Sequence, residues 1–106
     1  MEHQTSLMYV TMPNMKEAGK MAEKLVSERL AACVNLIPGM QSFYWWNGEI
    51  QQAQEVILLA KTTVERVFEL TDFIRKHHPY DCPCVVELPI ASGNPDFIQW
   101  IARETR

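Results

Sequence analysis

The chain has 106 residues and a mass of 12.3 kDa, enough for one domain (residues 1–106) and too little for two. Hydrophobic residues make up 47% and charged residues 22%, which argues against a disordered or fibrous chain. A formal net charge of −3 and a pI near 5.5 disfavour a basic nucleic-acid-binding face, and a chain this short leaves no large cleft between domains.

Leu7-Met8-Tyr9-Val10-Thr11-Met12 is short and apolar, stops at Pro13, and reads as a buried strand. Asn14 with Glu17 three residues on resembles a helix cap and its reciprocal acid. Ala18, Met21, Ala22, Leu25, Val26 and Leu30 then recur at helical spacing, with Lys16, Lys20 and Lys24 on the other face. Cys33 to Ile37 reads as the next strand, with a bulge or bend at Pro38-Gly39. Ser42-Phe43-Tyr44-Trp45-Trp46 is strongly β-favouring and runs into Asn47-Gly48, the best short signal for a type I′ hairpin. Glu49 to Lys61 is its partner strand. A two-residue turn pairs Trp46 with Glu49, Trp45 with Ile50 and Tyr44 with Gln51.

Thr62 and Glu65 predict another capping box. Val64, Val67, Phe68, Thr71 and Ile74 give a second helical stripe that ends at His77-His78, because Pro79 disfavours helix at the residue before it. Cys84 to Ile90 reads as a fourth strand. Asn94-Pro95-Asp96 opens a last helix, packed through Phe97, Ile98 and Ile101 with Trp100 beside them. The order β, α, β, β, α, β plus a short helix predicts an α+β, ferredoxin-like split βαβ sandwich.

Two features of this pattern predict a homo-oligomer. Hairpin arms of about thirteen residues reach roughly 45 Å, well beyond a chain whose radius of gyration is near 13 Å. The second is that two helices cover one sheet face, and the other face needs a cover from outside the chain. Phe43, Tyr44, Trp45 and Trp46 would otherwise form a large exposed apolar patch.

No apolar run approaches the roughly 18 residues of a membrane span. Met1 to Ser6 has no basic segment followed by an apolar stretch, so no signal peptide is expected. Cys33, Cys82 and Cys84 are odd in number and form no CxxC pair, which predicts a cytoplasmic protein with reduced thiols. No phosphate-cradling glycine loop and no nucleophile with a positioned base is legible, so an enzyme is not expected.

Two clusters carry candidate chemistry. His77, His78, Cys82 and Cys84 are ligand types suited to copper and zinc. Adjacent helix-end histidines point about 100° apart, and they serve equally well as partners for the helix dipole. Cysteines two apart share a face of an extended segment, and free cysteines also serve as small buried hydrophobes. Lys61, with Trp45, Tyr80 and Asp81, forms either an anion-binding cleft or a solvated lysine beside a packed tyrosine.

The run Leu30 to Gly39, then Ser42, Tyr44, Trp46 and Gly48 at alternate positions, resembles the CutA family of divalent-cation tolerance proteins. So do Glu55-Val56 through Lys61-Thr62, His78-Pro79-Tyr80, Leu88-Pro89-Ile90 and Asp96 to Trp100, from about Thr11 to the C-terminus in order. The resemblance implies a cytoplasmic, non-catalytic protein that forms a tight homotrimer, its hairpin extending across a neighbouring subunit. It implies binding of divalent ions linked to copper tolerance. It also implies a likeness to PII signalling proteins, which bind ligands between subunits. The alternative function is therefore a PII-like signalling or scaffold trimer that binds a small anionic metabolite or a partner protein. In some bacterial members copper ligands are assigned to a first-strand cysteine and the paired histidines. His77 and His78 carry over, Val10 stands where that cysteine would be, and Cys82 or Cys84 is our candidate substitute. Three chains at −3 each give about −9 per trimer, a field that favours cations.

Overall fold

A computed structural model describes residues 4–106. The elements are β1 (Thr5–Met12), α1 (Met15–Ser27), β2 (Cys33–Trp46), β3 (Glu49–Thr63), α2 (Val67–His77), β4 (Val85–Pro89) and α3 (Pro95–Glu104). The strands form one antiparallel sheet in the order β2-β3-β1-β4, the arrangement expected of a ferredoxin-like fold. Alternation along the strands sends Met8, Val10, Met12, Val56, Leu58 and Ala60 to one face. There they pack against Ala18, Met21 and Leu25 of α1 and Leu70 and Ile74 of α2. Among the described residues no helix is long and apolar enough to cross a membrane.

The caps of α1 explain its length. Asn14 accepts a hydrogen bond from the Glu17 backbone N–H at 2.8 Å and starts the helix. Its end is a Schellman closure: Arg29 takes φ +62, its N–H bonds the Val26 carbonyl, and the Leu30 N–H bonds the Leu25 carbonyl. Leu30 therefore lies beyond the helix yet stays buried beside Leu25. The expected capping box at Thr62 does not form, because β1 and β3 stay paired through Thr5 and Thr63. Thr62 is a buried strand residue whose hydroxyl donates to the Leu30 carbonyl at 2.7 Å. A short 3-10 turn, Val64–Arg66, precedes α2 and shifts the helix phase. Val67, Leu70 and Ile74 face the core, while Phe68, expected in the packing stripe, is 81% exposed.

The hairpin has the expected register, with Trp46 opposite Glu49 and Trp45 opposite Ile50. Asn47 and Gly48 at its tip have φ of +51 and +78, as a type I′ turn requires. Pairing runs from Ile37–Ile57 directly to Met40–Glu55, so Pro38 and Gly39 together oppose Val56 alone. This is a β-bulge, on an edge strand where a proline costs no ladder bond. Past it the hairpin leaves the core. The molecule measures 44 × 28 × 23 Å, and Phe43, Trp45 and Ile50 are 68%, 71% and 65% exposed. The opposite sheet face is not wholly bare: α3 packs on β1 and β3, burying Ile101 and setting the Phe97 ring 5.5 Å from the Lys61 ammonium.

Gly39 has φ +83, and a Cβ placed there meets no atom within 4 Å. Gly39→Ala should therefore cost about 1 kcal/mol through backbone strain alone. Urea unfolding that shows no loss would mean the bulge relaxes into another geometry.

Candidate functional site

Below the bulge, the outward face of the sheet carries Tyr9 and Thr11 of β1 and Glu55 of β3. Above it the same face carries Met40, Ser42, Tyr44 and Trp46, since one extra residue exchanges odd for even. The loop from His78 to Cys84 folds over these strands. Together they line a cleft of about 480 Å³ that includes Glu55, Tyr80, Asp81, Cys82 and Cys84. Its described lining has two carboxylates, two thiols and several aromatic rings, and no lysine, arginine or histidine.

Hydrogen bonds to both central strands hold the loop. His78 is 8% exposed and faces the Thr11 carbonyl through Nε2 at 2.8 Å, so Nε2 carries the proton. Its Nδ1 accepts the Tyr80 backbone N–H at 3.1 Å. Both ring nitrogens are thus engaged, and the neutral imidazole acts as a strut. The Tyr80 hydroxyl donates to Glu55 Oε2 at 2.9 Å, and Glu55 is 8% exposed. Burial, then the hydrogen bond and charge of Glu55, push the Tyr80 phenol up to about 12. Burial also raises the Cys84 thiol, with Glu55 adding to the effect and a hydrogen bond with Thr11 partly offsetting it.

The expected site residues thus do not form one cluster. Tyr80, Asp81, Cys82 and Cys84 share the cleft. His77 stacks on Phe73 with centroids 4.1 Å apart and bonds the Phe73 carbonyl through Nδ1, leaving Nε2 free at the end of α2. Lys61 and Trp45 do not line the cleft. Lys61 lies six residues along β3 from Glu55, roughly 20 Å away. Its ammonium donates to Asn35 Oδ1 at 2.8 Å and lies 4.0 Å from Cys33 Sγ. Trp45 points to the opposite face of the hairpin because of the bulge. Among the described residues, no group of three or more His, Cys, Asp or Glu side chains is placed to hold a metal ion.

Glu55, Tyr9, Thr11, Tyr44 and Trp46 were not singled out from sequence as site residues. Counting alternate positions through the bulge, with two residues opposite one, would have grouped them.

Comparison with known proteins places these residues in a family. The profile of the CutA1 divalent ion tolerance proteins matches residues 6–104. The chloroplastic protein CutA 1 of Oryza sativa subsp. japonica is 46% identical over 101 residues, 94% of this chain. The chain spans only 56% of that rice protein's length. The divalent-cation tolerance protein CutA of Thermus thermophilus is 44% identical over 91% of this chain and 93% of its own. Among solved structures, the T. thermophilus protein superposes with a TM-score of 0.93 at 41% identity, covering 96% of this chain and 99% of that one. CutA1 from Oryza sativa superposes with a TM-score of 0.95 at 39% identity, covering 98% and 95%. The chain belongs to the CutA1 divalent ion tolerance protein family.

Tyr80→Phe removes the donor to a buried carboxylate and should cost about 1–3 kcal/mol at neutral pH. The folded protein keeps the Tyr80 proton to about pH 12, whereas the unfolded chain loses it near 10. The hydrogen bond's contribution is therefore complete below pH 10 and falls as pH rises from 10 to 12. The stability gap between wild type and Tyr80→Phe should narrow over that window in urea melts. A gap independent of pH would contradict the Tyr80–Glu55 bond.

Proposed function

We propose that this CutA1-family chain works as a homotrimer that binds divalent metal ions, copper or zinc, and takes part in metal-ion tolerance. The observation that carries the reading is the cleft, where carboxylates and thiols converge without a basic side chain. Cys82 and Cys84 are its first ligands, with Asp81 beside them in the cleft lining. Glu55 supplies negative charge behind them, oriented by Tyr80. His78 holds the loop, and His77 offers one free nitrogen outside the cleft. A single chain falls short of the four ligands that zinc takes in a closed site, so the remaining donors come from a neighbouring subunit or from water. The relatives' names support metal tolerance. The role assigned is binding, with no catalysis.

The trimer rests on the hairpin. Phe43, Trp45 and Ile50 lie on one side, with Tyr44 and Trp46 on the other, all well exposed in a single chain. Neighbouring copies are the cover that this surface fits. The three free thiols, two of them exposed, suit a reducing compartment, and we assign the cytoplasm on that ground. A small anionic metabolite is the weaker reading, because Lys61, the one lysine in the described strands, lies at the far end of the sheet from the acidic cleft.

Calorimetric titration of the reduced protein with Zn(II) and Cu(II) tests the site. Asp81→Asn should lower Zn(II) affinity at least about tenfold. His78→Ala should lose about 1–3 kcal/mol of stability and, by loosening the loop, weaken Zn(II) less than Asp81→Asn does. Affinity unchanged in Asp81→Asn and lost in His78→Ala would return the site to the histidines.

Sedimentation should give a mass close to three times 12.3 kDa, and Trp45→Glu should shift it toward the single chain. A wild-type monomer at micromolar concentration would remove the trimer.

A further inference from the structure

The two cleft thiols suggest a second kind of ion. Cys82 and Cys84 are both free, both exposed, and both line the same cleft. Only Pro83 separates them, and its fixed φ and missing N–H limit how far the short segment can rearrange. Among the described residues this pair is not joined by a third His, Cys, Asp or Glu positioned for metal. That count is too small for a tetrahedral divalent ion within one chain. It is sufficient for a soft, closed-shell monovalent cation, which is satisfied by two thiolates in a line.

We propose that Cys82 and Cys84 form a bis-thiolate site for a thiophilic monovalent cation, Cu(I) by its chemistry, within each single chain. The proposal rests on the reading that the cleft takes metal, and it extends the ion class from divalent to monovalent. Binding is coordination without electron transfer. Two S–H bonds break, two S–Cu bonds form, and two protons leave to solvent, giving a complex with one net negative charge. Asp81 and Glu55 in the same cleft oppose that extra negative charge, so the S–Cu bonds supply the affinity. Tyr9, Tyr44 and Trp46 give the cleft apolar walls. Hard carboxylate oxygens such as those of Asp81 compete poorly for a soft ion. His78, the imidazole nearest in the chain, already has both nitrogens engaged. Cys33 stands apart on the sheet beside Asn35 and Lys61 and takes no part.

The test is an anaerobic titration of the reduced chain with Cu(I), in competition with a chromophoric Cu(I) chelator, and with Ag(I) as a redox-inert probe. One equivalent per chain is expected, with a thiolate-to-metal charge-transfer band. Cys82→Ser and Cys84→Ser should each weaken Cu(I) about a hundredfold or more, while Cys33→Ser leaves it unchanged. Asp81→Asn separates the two readings, since it should weaken Zn(II) and leave Cu(I) alone. Cu(I) retained in the Cys82→Ser/Cys84→Ser double variant, or lost in Cys33→Ser, would overturn the proposal. Zn(II) affinity unaffected by Asp81→Asn, with Cu(I) lost in the cysteine variants, would overturn the divalent site and leave this one standing.

Discussion

One extra residue in β2 governs which way every later side chain of the hairpin points. Strand side chains alternate with a period of two, so a bulge that sets Pro38 and Gly39 against Val56 exchanges the two faces from Met40 onward. Without it, Phe43 and Trp45 would stand over Tyr9 and Thr11, and Tyr44 and Trp46 would face away. With it, Tyr9 can donate to Met40 Sδ at 3.3 Å, and Tyr44 and Trp46 become walls of the acidic cleft. The bulge needs a left-handed residue, and Gly39 supplies it without a Cβ penalty. β3 runs through the same region without interruption, which leaves Glu55 on the same face as Lys61 though far from it.

The sequence made visible what is decided over a few residues. Asn47-Gly48 settled the hairpin register, Asn14 and Asn94 marked helix starts, and Pro79 marked the end of α2. Pro38-Gly39 was legible as a break, but its effect on facing required knowing which residues it opposes. Long-range contacts were not legible. His78 meets Thr11 and Tyr80 meets Glu55 across 67 and 25 residues, and no local pattern encodes either meeting. Paired histidines therefore look like paired ligands in sequence. In the fold one is a neutral strut and the other is stacked on Phe73. Thr62 misled in the same way, because strand pairing outlasted a local capping signal.

The loop over the cleft is short, and its rigidity comes from polar contacts. His78 contributes two hydrogen bonds and a tilted ring contact with Tyr80 at 4.8 Å. Tyr80 in turn reaches Glu55. Each link joins the loop to a different central strand, so Asp81, Cys82 and Cys84 follow a segment anchored on both sides. Such networks hold geometry well only when every member is satisfied, and no described buried side-chain polar atom lacks a partner. A preorganised loop matters most for ligands that bind through few donors, because little affinity is then lost to ordering.

The exposed hairpin shows why a second copy of the chain is the natural complement in the proposed trimer. Phe43, Trp45, Trp46 and Ile50 leave roughly 500 Å² of apolar side chain in water, taking aromatic side chains at 150–250 Å² each. At about 25 cal/mol per Å², covering it is worth roughly 12 kcal/mol per chain before costs. Loss of rigid-body freedom opposes association by about 4–15 kcal/mol, so the hairpin alone brings the balance near zero. Exposed Ile37, Val86 and Leu88 on the sheet tip it further toward assembly. The same alternation that makes one hairpin face wall the acidic cleft leaves the other face, with Phe43 and Trp45, free to pack on a neighbour. Site and assembly thus share one strand pair, and Tyr44 and Trp46 serve both.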